Sequence, residues 1–246
     1  MTKPLADRIA LVTGASRGIG FATARALARA GAHIVAVART QGGLEELDDA
    51  IKAEGGTATL VPLDITDFDG VDRLAGALRE RYGRLDIMVG NAGMLGALSP
   101  LDHISAMDWD SVMKTNVTAN WRLVKAFLDL LKASDAGRVV FITSGLASSA
   151  RAYWGSYSVS KAALEALARS LAAETLTTNL KVNLYIPGQV HTRMLSSAMP
   201  GKDMTDVTKP DDVAAKIIDL CLPSLQHTGR YFSFRSGTFM DFQAPA

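Results

Sequence analysis

The sequence has few of the residues that would indicate an extracellular, metal-binding or nucleic-acid-binding protein. Its 246 residues include a single cysteine, Cys221, so no disulfide can form within the chain, and a reducing compartment is favoured. Lysine and arginine total 26 against 25 aspartate and glutamate residues, without a block of like charge, which argues against a nucleic-acid partner. The four histidines are scattered, so no metal site is predicted.

Long apolar runs and internal repeats are also missing. The first residues include Lys3, Asp7 and Arg8 and show no apolar stretch of the kind that a secretory signal contains. No run approaches the roughly 18 apolar residues that a membrane helix needs. Repeats, low-complexity segments and linkers between domains are not evident. We therefore expect a cytoplasmic protein without a membrane partner, folded as a single domain over residues 1–246.

Short apolar runs alternate with longer stretches of helical spacing. Several runs are apolar at successive positions, which is typical of strands covered on both faces in a parallel sheet. The predicted strands are 8–13, 33–38, 57–63, 85–90, 138–144, 180–186 and 230–234. The predicted helices are 18–30, 41–54, 67–82, 106–132, 156–177 and 210–222. This alternation predicts an α/β fold, a doubly wound parallel sheet of about seven strands with helices on both faces.

A glycine-rich turn follows the first predicted strand and opens the first predicted helix. Residues 13–20 are Thr-Gly-Ala-Ser-Arg-Gly-Ile-Gly. Glycines at such a turn let the backbone approach a diphosphate, and the helix N-terminus supplies free N–H groups. A purely structural turn is the alternative, but the strand–turn–helix context that phosphate binding needs is present. The spacing of Gly14, Gly18 and Gly20 differs from the common G-x-G-x-x-G pattern.

Tyr157 and Lys161 lie four positions apart in a predicted helix, so they share one face. Tyrosine, with an unperturbed pKa of about 10, is a poor base at neutral pH. A neighbouring ammonium favours the phenolate, and general acid–base catalysis needs such tuning. The pair could be accidental on a surface helix, but the glycine turn upstream favours a catalytic pair.

The order of these motifs resembles the short-chain dehydrogenase/reductase family over roughly residues 8–194. The other matching positions are Asp64, Asn91, Ala92, Gly93, Asn116, Ser144, Pro187 and Gly188. The resemblance implies a Rossmann-type dinucleotide-binding fold and hydride transfer between a nicotinamide cofactor and a ketone or secondary alcohol. It departs near the C-terminus, where the glycine-rich segment common in the family is replaced by Phe-Arg-Ser-Gly-Thr-Phe at 234–239.

The resemblance also implies roles for the catalytic residues. Tyr157 would be the acid/base, with Lys161 tuning it and binding the cofactor ribose. Ser144 would orient the substrate oxygen and stabilise the charge that develops on it. Asn116 would kink its helix and hold a water that connects Lys161 to solvent, although a chance buried asparagine is the alternative.

The implied cofactor contacts are spread over the carboxyl ends of the predicted strands. The residues are Gly14, Ser16, Arg17, Gly18, Ile19, Gly20, Arg39, Asp64, Ile65, Asn91, Ala92, Gly93, Tyr157, Lys161, Pro187, Gly188, Val190 and Thr192. Asp64 would hydrogen-bond the adenine amino group, and the segment from Pro187 would close over the nicotinamide amide. The alternatives are an ordinary loop acid for Asp64 and a plain strand-ending turn for 91–93.

The end of the second predicted strand bears on which nicotinamide is used. A carboxylate there would bond both ribose hydroxyls and repel a 2′-phosphate. This chain has Ala38-Arg39-Thr40 instead. Arg39 can clamp a phosphate in a bidentate way, and Arg17 offers a second cation. A solvated surface arginine is the alternative for each, and we expect NADP(H) to be favoured over NAD(H).

The residues expected near the substrate are mainly apolar, and for about half of them a core role is the interpretation that we favour. They are Met94, Leu95, Leu98, Leu146, Tyr153, Trp154, Met194, Leu195 and Met199. The segment at about 193–209, with Gly201 and scattered polar residues, predicts a short substrate lid. A short lid favours a small or slender, apolar carbonyl or alcohol.

Two further expectations concern assembly and catalysis. Helices 106–132 and 156–177 are apolar beyond one face, and such helices pair across a two-fold axis in the family, which implies a homodimer or homotetramer. A catalytically idle dinucleotide-binding redox sensor or scaffold is the competing hypothesis, because fold alone does not establish function. The intact set of Ser144, Tyr157, Lys161 and Asn116 favours the enzyme.

Overall fold

The computed structural model describes residues 3–242, which form one α/β unit. The strands are β1 Ile9–Thr13, β2 His33–Ala38, β3 Thr57–Pro62, β4 Ile87–Gly90, β5 Arg138–Ile142, β6 Lys181–Ile186, β7 Tyr231–Ser233 and β8 Thr238–Met240. The helices are α1 Gly18–Arg29, α2 Gln41–Ala53, α3 Phe68–Tyr82, α4 Ala106–Met113, α5 Ala119–Lys132, α6 Leu146–Ser149, α7 Gly155–Glu174, α8 Arg193–Ala198 and α9 Pro210–Cys221.

The strands form a single eight-stranded sheet in the order β3-β2-β1-β4-β5-β6-β7-β8. Strands β1 to β7 pair in parallel, whereas β8 runs antiparallel to β7. The predicted doubly wound fold is confirmed, with one strand more than predicted. The added strand follows a turn with Gly237 at φ 67°, which folds the end of the chain back along β7.

The sheet is buried because helices cover both of its faces, as the continuous apolar strands predict. All five residues of β1 and all five of β5 are buried. On one face α1 and α9 pack through Leu27 and Ile217. On the other face α5 and α7 pack through Phe127 and Leu164. The helices thus cover both faces of the sheet, so the loops at the strand ends are the part of the sheet that a ligand can reach.

The strand order reverses at β1, since the chain passes from β1 through β2 to β3 and then returns to β4 beside β1. The connections that leave the carboxyl ends of β1 and β4 therefore diverge to opposite faces of the sheet. Such a switch point leaves a crevice in which α/β proteins bind ligands. The glycine turn and the segments after β4, β5 and β6 all lie at this edge.

The predicted helix 106–132 is divided in the structure. Between α4 and α5 the backbone forms a π-helical turn at Lys114–Thr118, which contains Asn116. Single π-helical turns are rare and occur frequently at functional sites. One turn further on, Asn120 Nδ2 donates to the Asn116 carbonyl oxygen at 2.8 Å. The expected irregularity at Asn116 is therefore a change of helical pitch.

The segment predicted as a lid begins with α8. Near its end, Thr208 forms an isolated β-bridge with Val190, which follows β6. Its role as a lid remains a prediction. Among residues 3–242, every helix falls short of the length and apolarity that crossing a bilayer requires.

Candidate active site

The glycine turn is packed so closely that side chains would not fit at two of its positions. Gly14 has φ 66°, and a Cβ there would lie 2.9 Å from Asn91 Nδ2. A Cβ on Gly20 would overlap the carbonyl oxygen of Gly14. Asn91 joins the turn to β4, since its Nδ2 donates to the Thr13 carbonyl oxygen at 2.8 Å. The start of α1 has no side-chain cap from Arg17, so its N–H groups stay available to an anion.

The turn meets the segment that follows β6. A Cβ on Gly18, which has φ 58°, would lie 3.3 Å from Thr192 Cγ2. Thr192 in turn donates from Oγ1 to the Val190 carbonyl oxygen at 3.2 Å and accepts from the Leu195 N–H at 3.3 Å. The glycine turn and Thr192, the last cofactor contact predicted along the chain, thus face each other across the crevice.

The other predicted cofactor residues line the same edge with graded exposure. The buried ones are Gly20, Ile65, Lys161, Pro187 and Val190. The partly exposed ones are Gly14, Ser16, Gly18, Ile19, Asp64, Asn91, Ala92, Gly93, Tyr157 and Thr192. The exposed ones are Arg17, Arg39 and Gly188. The two arginines, Arg17 and Arg39, are thus at the exposed rim of this edge, whereas Lys161 is buried within it.

The carboxyl end of β5 and the first turns of α7 bring the predicted catalytic residues together. Lys161 Nζ donates to the Ile142 carbonyl oxygen at 2.8 Å and lies 5.7 Å from the centre of the Tyr157 ring. Ser144 follows β5 directly, and its hydroxyl accepts from the Leu146 N–H at 3.2 Å. Tyrosine and lysine share one face of the helix, as their spacing predicts.

Burial shifts the proton equilibria of both groups on this helix. Lys161 is 5% exposed, and burial lowers the pKa of its ammonium to about 8, although Glu165 acts in the opposite direction. Burial raises the pKa of the Tyr157 phenol, and the neighbouring Ser144 hydroxyl offsets this in part. Tyr157 is therefore a neutral phenol at neutral pH, with a proton to donate, beside an ammonium whose pKa is about 8.

Asn116 is fully buried and holds the loop after β4. Its Oδ1 accepts from the Met94 N–H at 2.8 Å, and its Nδ2 donates to the Met94 carbonyl oxygen and to Ser160 Oγ, each at 2.9 Å. A Cβ on Gly93 would lie 3.1 Å from Asn116 Oδ1 and 3.7 Å from Lys161 Nζ. The absence of a side chain at Gly93 thus leaves room between Asn116 and Lys161.

Arg39 and Asp64, which the sequence analysis treats separately, form an ion pair. Arg39 Nη1 lies 3.7 Å from Asp64 Oδ2, and the Arg39 side chain is 73% exposed. Asp64 also accepts from the Thr66 N–H at 2.9 Å and from its hydroxyl at 2.8 Å. Burial acts to raise the pKa of Asp64, but the Thr66 bonds and Arg39 outweigh it, and the pKa lies below its usual value. Asp64 is therefore ionised and holds Arg39 near the rim.

The nine residues predicted near the substrate are all at least partly exposed. None of them belongs to the two large core clusters, so the interpretation of a core role for about half of them is wrong. Trp154 packs edge-on to Tyr157 with the ring centres 6.1 Å apart. Tyr153 adopts φ 72°, a region that non-glycine residues rarely occupy, and its carbonyl oxygen accepts from the Ser99 N–H at 3.1 Å. Two loops are thus tied together beside Tyr157.

Glu165 is the site residue that the sequence analysis missed. It is 7% exposed, and its Oε1 accepts from the Thr143 hydroxyl at 2.8 Å. Burial raises the pKa of this carboxyl group, while Thr143, Arg169 and Lys161 act to lower it. Its position four residues after Lys161 was the available signal, since it predicts the same helix face. No group of His, Cys, Asp and Glu side chains suited to a metal occurs within residues 3–242.

Comparisons with known proteins agree with this geometry. A family profile described as short chain dehydrogenase matches residues 8–203. The uncharacterized oxidoreductase YciK of Escherichia coli K12 is 37% identical over 212 residues, which are 85% of this chain and 84% of that protein. Dehydrogenase/reductase SDR family member 4 of Mus musculus is 32% identical over 228 residues, 89% of this chain and 82% of that protein.

Solved structures show the same similarity. A short chain dehydrogenase of Shigella flexneri 2a complexed with NADP superimposes with a TM-score of 0.91 and 36% identity, covering 96% of this chain and 100% of the other. The structure of the oxidoreductase YciK of Escherichia coli gives a TM-score of 0.91 and 36% identity over 96% of this chain and 98% of the other.

Proposed function

This chain belongs to the short-chain dehydrogenase/reductase family, and we propose that it transfers a hydride between NADP(H) and a ketone or secondary alcohol, with Tyr157 as acid/base. The observation that carries the proposal is the pair of partly exposed Tyr157 and buried Lys161 on α7, beside Ser144 and open to the crevice behind the glycine turn. An idle sensor would have no need of this arrangement.

The residues present fit a nicotinamide dinucleotide. Side chains at Gly14 and Gly20 would fill space against Asn91 and the turn itself, and the uncapped start of α1 suits a diphosphate. The Lys161 ammonium has three N–H donors, of which the Ile142 carbonyl oxygen accepts one, so it can also donate to ribose hydroxyls. When bound, the dinucleotide supplies or accepts the hydride.

The chain's own residues handle the proton. In carbonyl reduction Tyr157 donates its phenolic proton to the substrate oxygen, and in alcohol oxidation it takes the hydroxyl proton back. Ser144 hydrogen-bonds that oxygen and stabilises the negative charge that develops on it. A neighbouring ammonium favours a phenolate, and this is the role that we give Lys161 beside Tyr157, whose pKa burial raises. Asn116 holds the loop after β4 beside Lys161, where a water can reach the ammonium.

The preference for NADP(H) rests on charge at the rim. The end of β2 carries Arg39 and no carboxylate, and Arg17 stands exposed at the start of α1. The relatives include a short chain dehydrogenase of Escherichia coli CFT073 complexed with NADPH and the Shigella protein complexed with NADP. Each charge-assisted hydrogen bond to a 2′-phosphate contributes roughly 1.5–3 kcal/mol, which exposure and salt reduce.

A panel of ketones and secondary alcohols, followed by nicotinamide absorbance with both cofactors, tests the proposal. We expect turnover with NADP(H) favoured by about ten- to a thousandfold in kcat/KM. Arg39→Asp should reverse the preference, because a carboxylate repels the phosphate yet bonds the bare ribose. Arg79→Asp, which removes an equally peripheral arginine at the far end of α3, is the control and should leave the preference unchanged.

Equal kcat/KM for the two cofactors, or a preference for NAD(H), would show that Arg39 is only an exposed strand end. Cofactor binding without turnover of any substrate would instead favour the idle sensor or scaffold. The substrate that we expect is small or slender and apolar, because the residues beside Tyr157 are mostly apolar and the 193–209 segment contributes only the short α8.

The exposed apolar residues on the long helices support an assembly of identical chains. Trp121 on α5 is 49% exposed and Val159 on α7 is 42% exposed. A second copy packed across a two-fold axis would cover both, giving a homodimer or homotetramer. Sedimentation at micromolar concentration should therefore give a mass above that of the 26.1 kDa chain, and a monomer would contradict this.

A further inference from the structure

One face of α7 carries three groups that ionise, each one helical turn after the last. They are Tyr157, Lys161 and Glu165. The end of β5 supplies a separate partner to each of the last two. The Ile142 carbonyl oxygen accepts from Lys161 Nζ at 2.8 Å, and the Thr143 hydroxyl donates to Glu165 Oε1 at 2.8 Å. Consecutive strand residues thus hold an ammonium and a carboxyl group on one buried face.

Within residues 3–242, Glu165 is the charged group that acts on Lys161, whereas Glu165 itself is influenced first by Arg169 and then by Lys161. Lys161 is 5% and Glu165 7% exposed, so solvent screens them little. The elements packed against α7 carry the charged residues Asp108, Asp110, Lys114, Arg138 and Lys181, and none of these is a cause of the pKa shift of either group.

A buried ammonium without a counter-charge tends to lose its proton. We propose that Glu165 is a positioning residue that keeps Lys161 charged at neutral pH, so that Lys161 can hold the cofactor ribose and the Tyr157 phenolate. The inference rests on the proposed roles of Tyr157 and Lys161. Glu165 touches neither substrate nor cofactor in this scheme and acts only through the lysine.

The sign of the effect follows from the charges. Burial already lowers the pKa of Lys161 to about 8, and the Glu165 carboxylate opposes that shift. Removing the carboxylate charge lowers the lysine pKa further, so the ammonium is lost at a lower pH. Lys161 and Glu165 form no direct ion pair among the described residues, so the carboxylate acts on the lysine through space. We therefore expect the lysine pKa to fall by about 0.5–1 pH unit when the carboxylate charge is removed.

The test compares Glu165→Gln with the wild-type protein from neutral to alkaline pH. NADPH affinity, read from its fluorescence, and kcat/KM for carbonyl reduction are measured at each pH. The alkaline limb of both profiles should move down by about 0.5–1 pH unit in the variant. Glu165→Asp retains the charge and should restore most of the wild-type profile. Glu174→Gln, on an exposed part of the same helix, should leave both profiles unchanged.

An alkaline limb that stays in place in folded Glu165→Gln overturns the proposal, as does a uniform loss of activity at every pH, which would indicate a structural role. If Glu165→Gln does not fold, Glu165→Met replaces it, because methionine removes the carboxylate charge without burying another polar group, and the limb should move in the same direction. A failure of the proposed function would give a different result. Tyr157→Phe would then retain activity, while the pH profile of NADPH affinity would still report on Glu165.

Discussion

The amino edge and the carboxyl edge of the sheet both bury charged side chains, and they differ in how those charges are paired. At the amino edge the fully buried Asp86 accepts from the Ile9 N–H at 2.8 Å, Ser134 Oγ at 2.6 Å, Arg8 Nη1 at 3.0 Å and Arg84 Nε at 3.2 Å. Its charge therefore has two cationic partners and four hydrogen-bond donors.

The carboxyl edge satisfies its buried charges far less completely. Lys161 has one protein acceptor, the Ile142 carbonyl oxygen, and Glu165 has one donor, the Thr143 hydroxyl. The lysine pKa is accordingly displaced by burial. Removing a buried charge that has all its partners destabilises a fold, because those partners are left uncompensated, whereas a buried charge with unused bonding capacity is available for ligand and chemistry. The same sheet thus carries a stabilising edge and a functional edge.

The largest expected effect lies at the amino edge. Asp86→Ala should lower the free energy of unfolding by about 3 kcal/mol, because it leaves two arginines and a buried N–H without their shared acceptor. Asp135→Ala is the matched control, since Asp135 also pairs with Arg8 but is 76% exposed. Its loss should change stability by under about 1 kcal/mol. Urea unfolding measures both, and equal effects would contradict the comparison.

At the carboxyl edge, Tyr157→Phe should lower turnover at least about a hundredfold with little change in stability or cofactor affinity, because only the acid/base hydroxyl is lost. Tyr185→Phe is the matched control. The Tyr185 hydroxyl is buried and donates to the Val213 carbonyl oxygen at 2.9 Å, away from Ser144 and Lys161. That variant should lose about 1 kcal/mol of stability and keep its activity. A Tyr157→Phe enzyme near the wild-type rate would refute the assignment.

The smallest expected effect, at Lys161, is a gain in stability, whereas the effect at Asp86 is a loss. The pKa of Lys161, about 8 in the fold, lies below its ordinary 10.5, so the unfolded chain binds more protons between these values. The resulting penalty is full below pH 8 and disappears as pH rises toward 10.5. Lys161→Met should therefore raise the neutral-pH free energy of unfolding of the cofactor-free protein by about 1–2 kcal/mol, after the lost hydrogen bond is allowed for.

Urea unfolding of the Lys161→Met variant at neutral and at strongly alkaline pH measures this gain and its loss. Turnover and cofactor affinity should fall together in the same protein, since the ribose contacts and the charge beside Tyr157 are both removed. A variant less stable than the wild type at neutral pH would show that burying the Lys161 ammonium does not destabilise the fold.

Much of this molecule is readable from local pattern. Apolar runs predict seven of the eight strands, and the motif order predicts which residues meet at the carboxyl edge. The short β8 was missed because its three residues, Thr238–Met240, carry too little periodicity. The π-helical turn at Asn116 was expected only as an irregularity, since local propensity signals strain without specifying helical pitch.

The sequence by itself determined the alternation of strands and helices, the glycine turn, and the shared helix face of Tyr157 and Lys161. These depend on the periods of helices and strands, which act between residues close along the chain. Only the tertiary structure decided that Arg39 pairs with Asp64, that Glu165 is buried against Thr143, and that Asp86 collects its partners at the opposite edge. Those contacts join residues from separate elements, so they exist only once the sheet and its helices have packed.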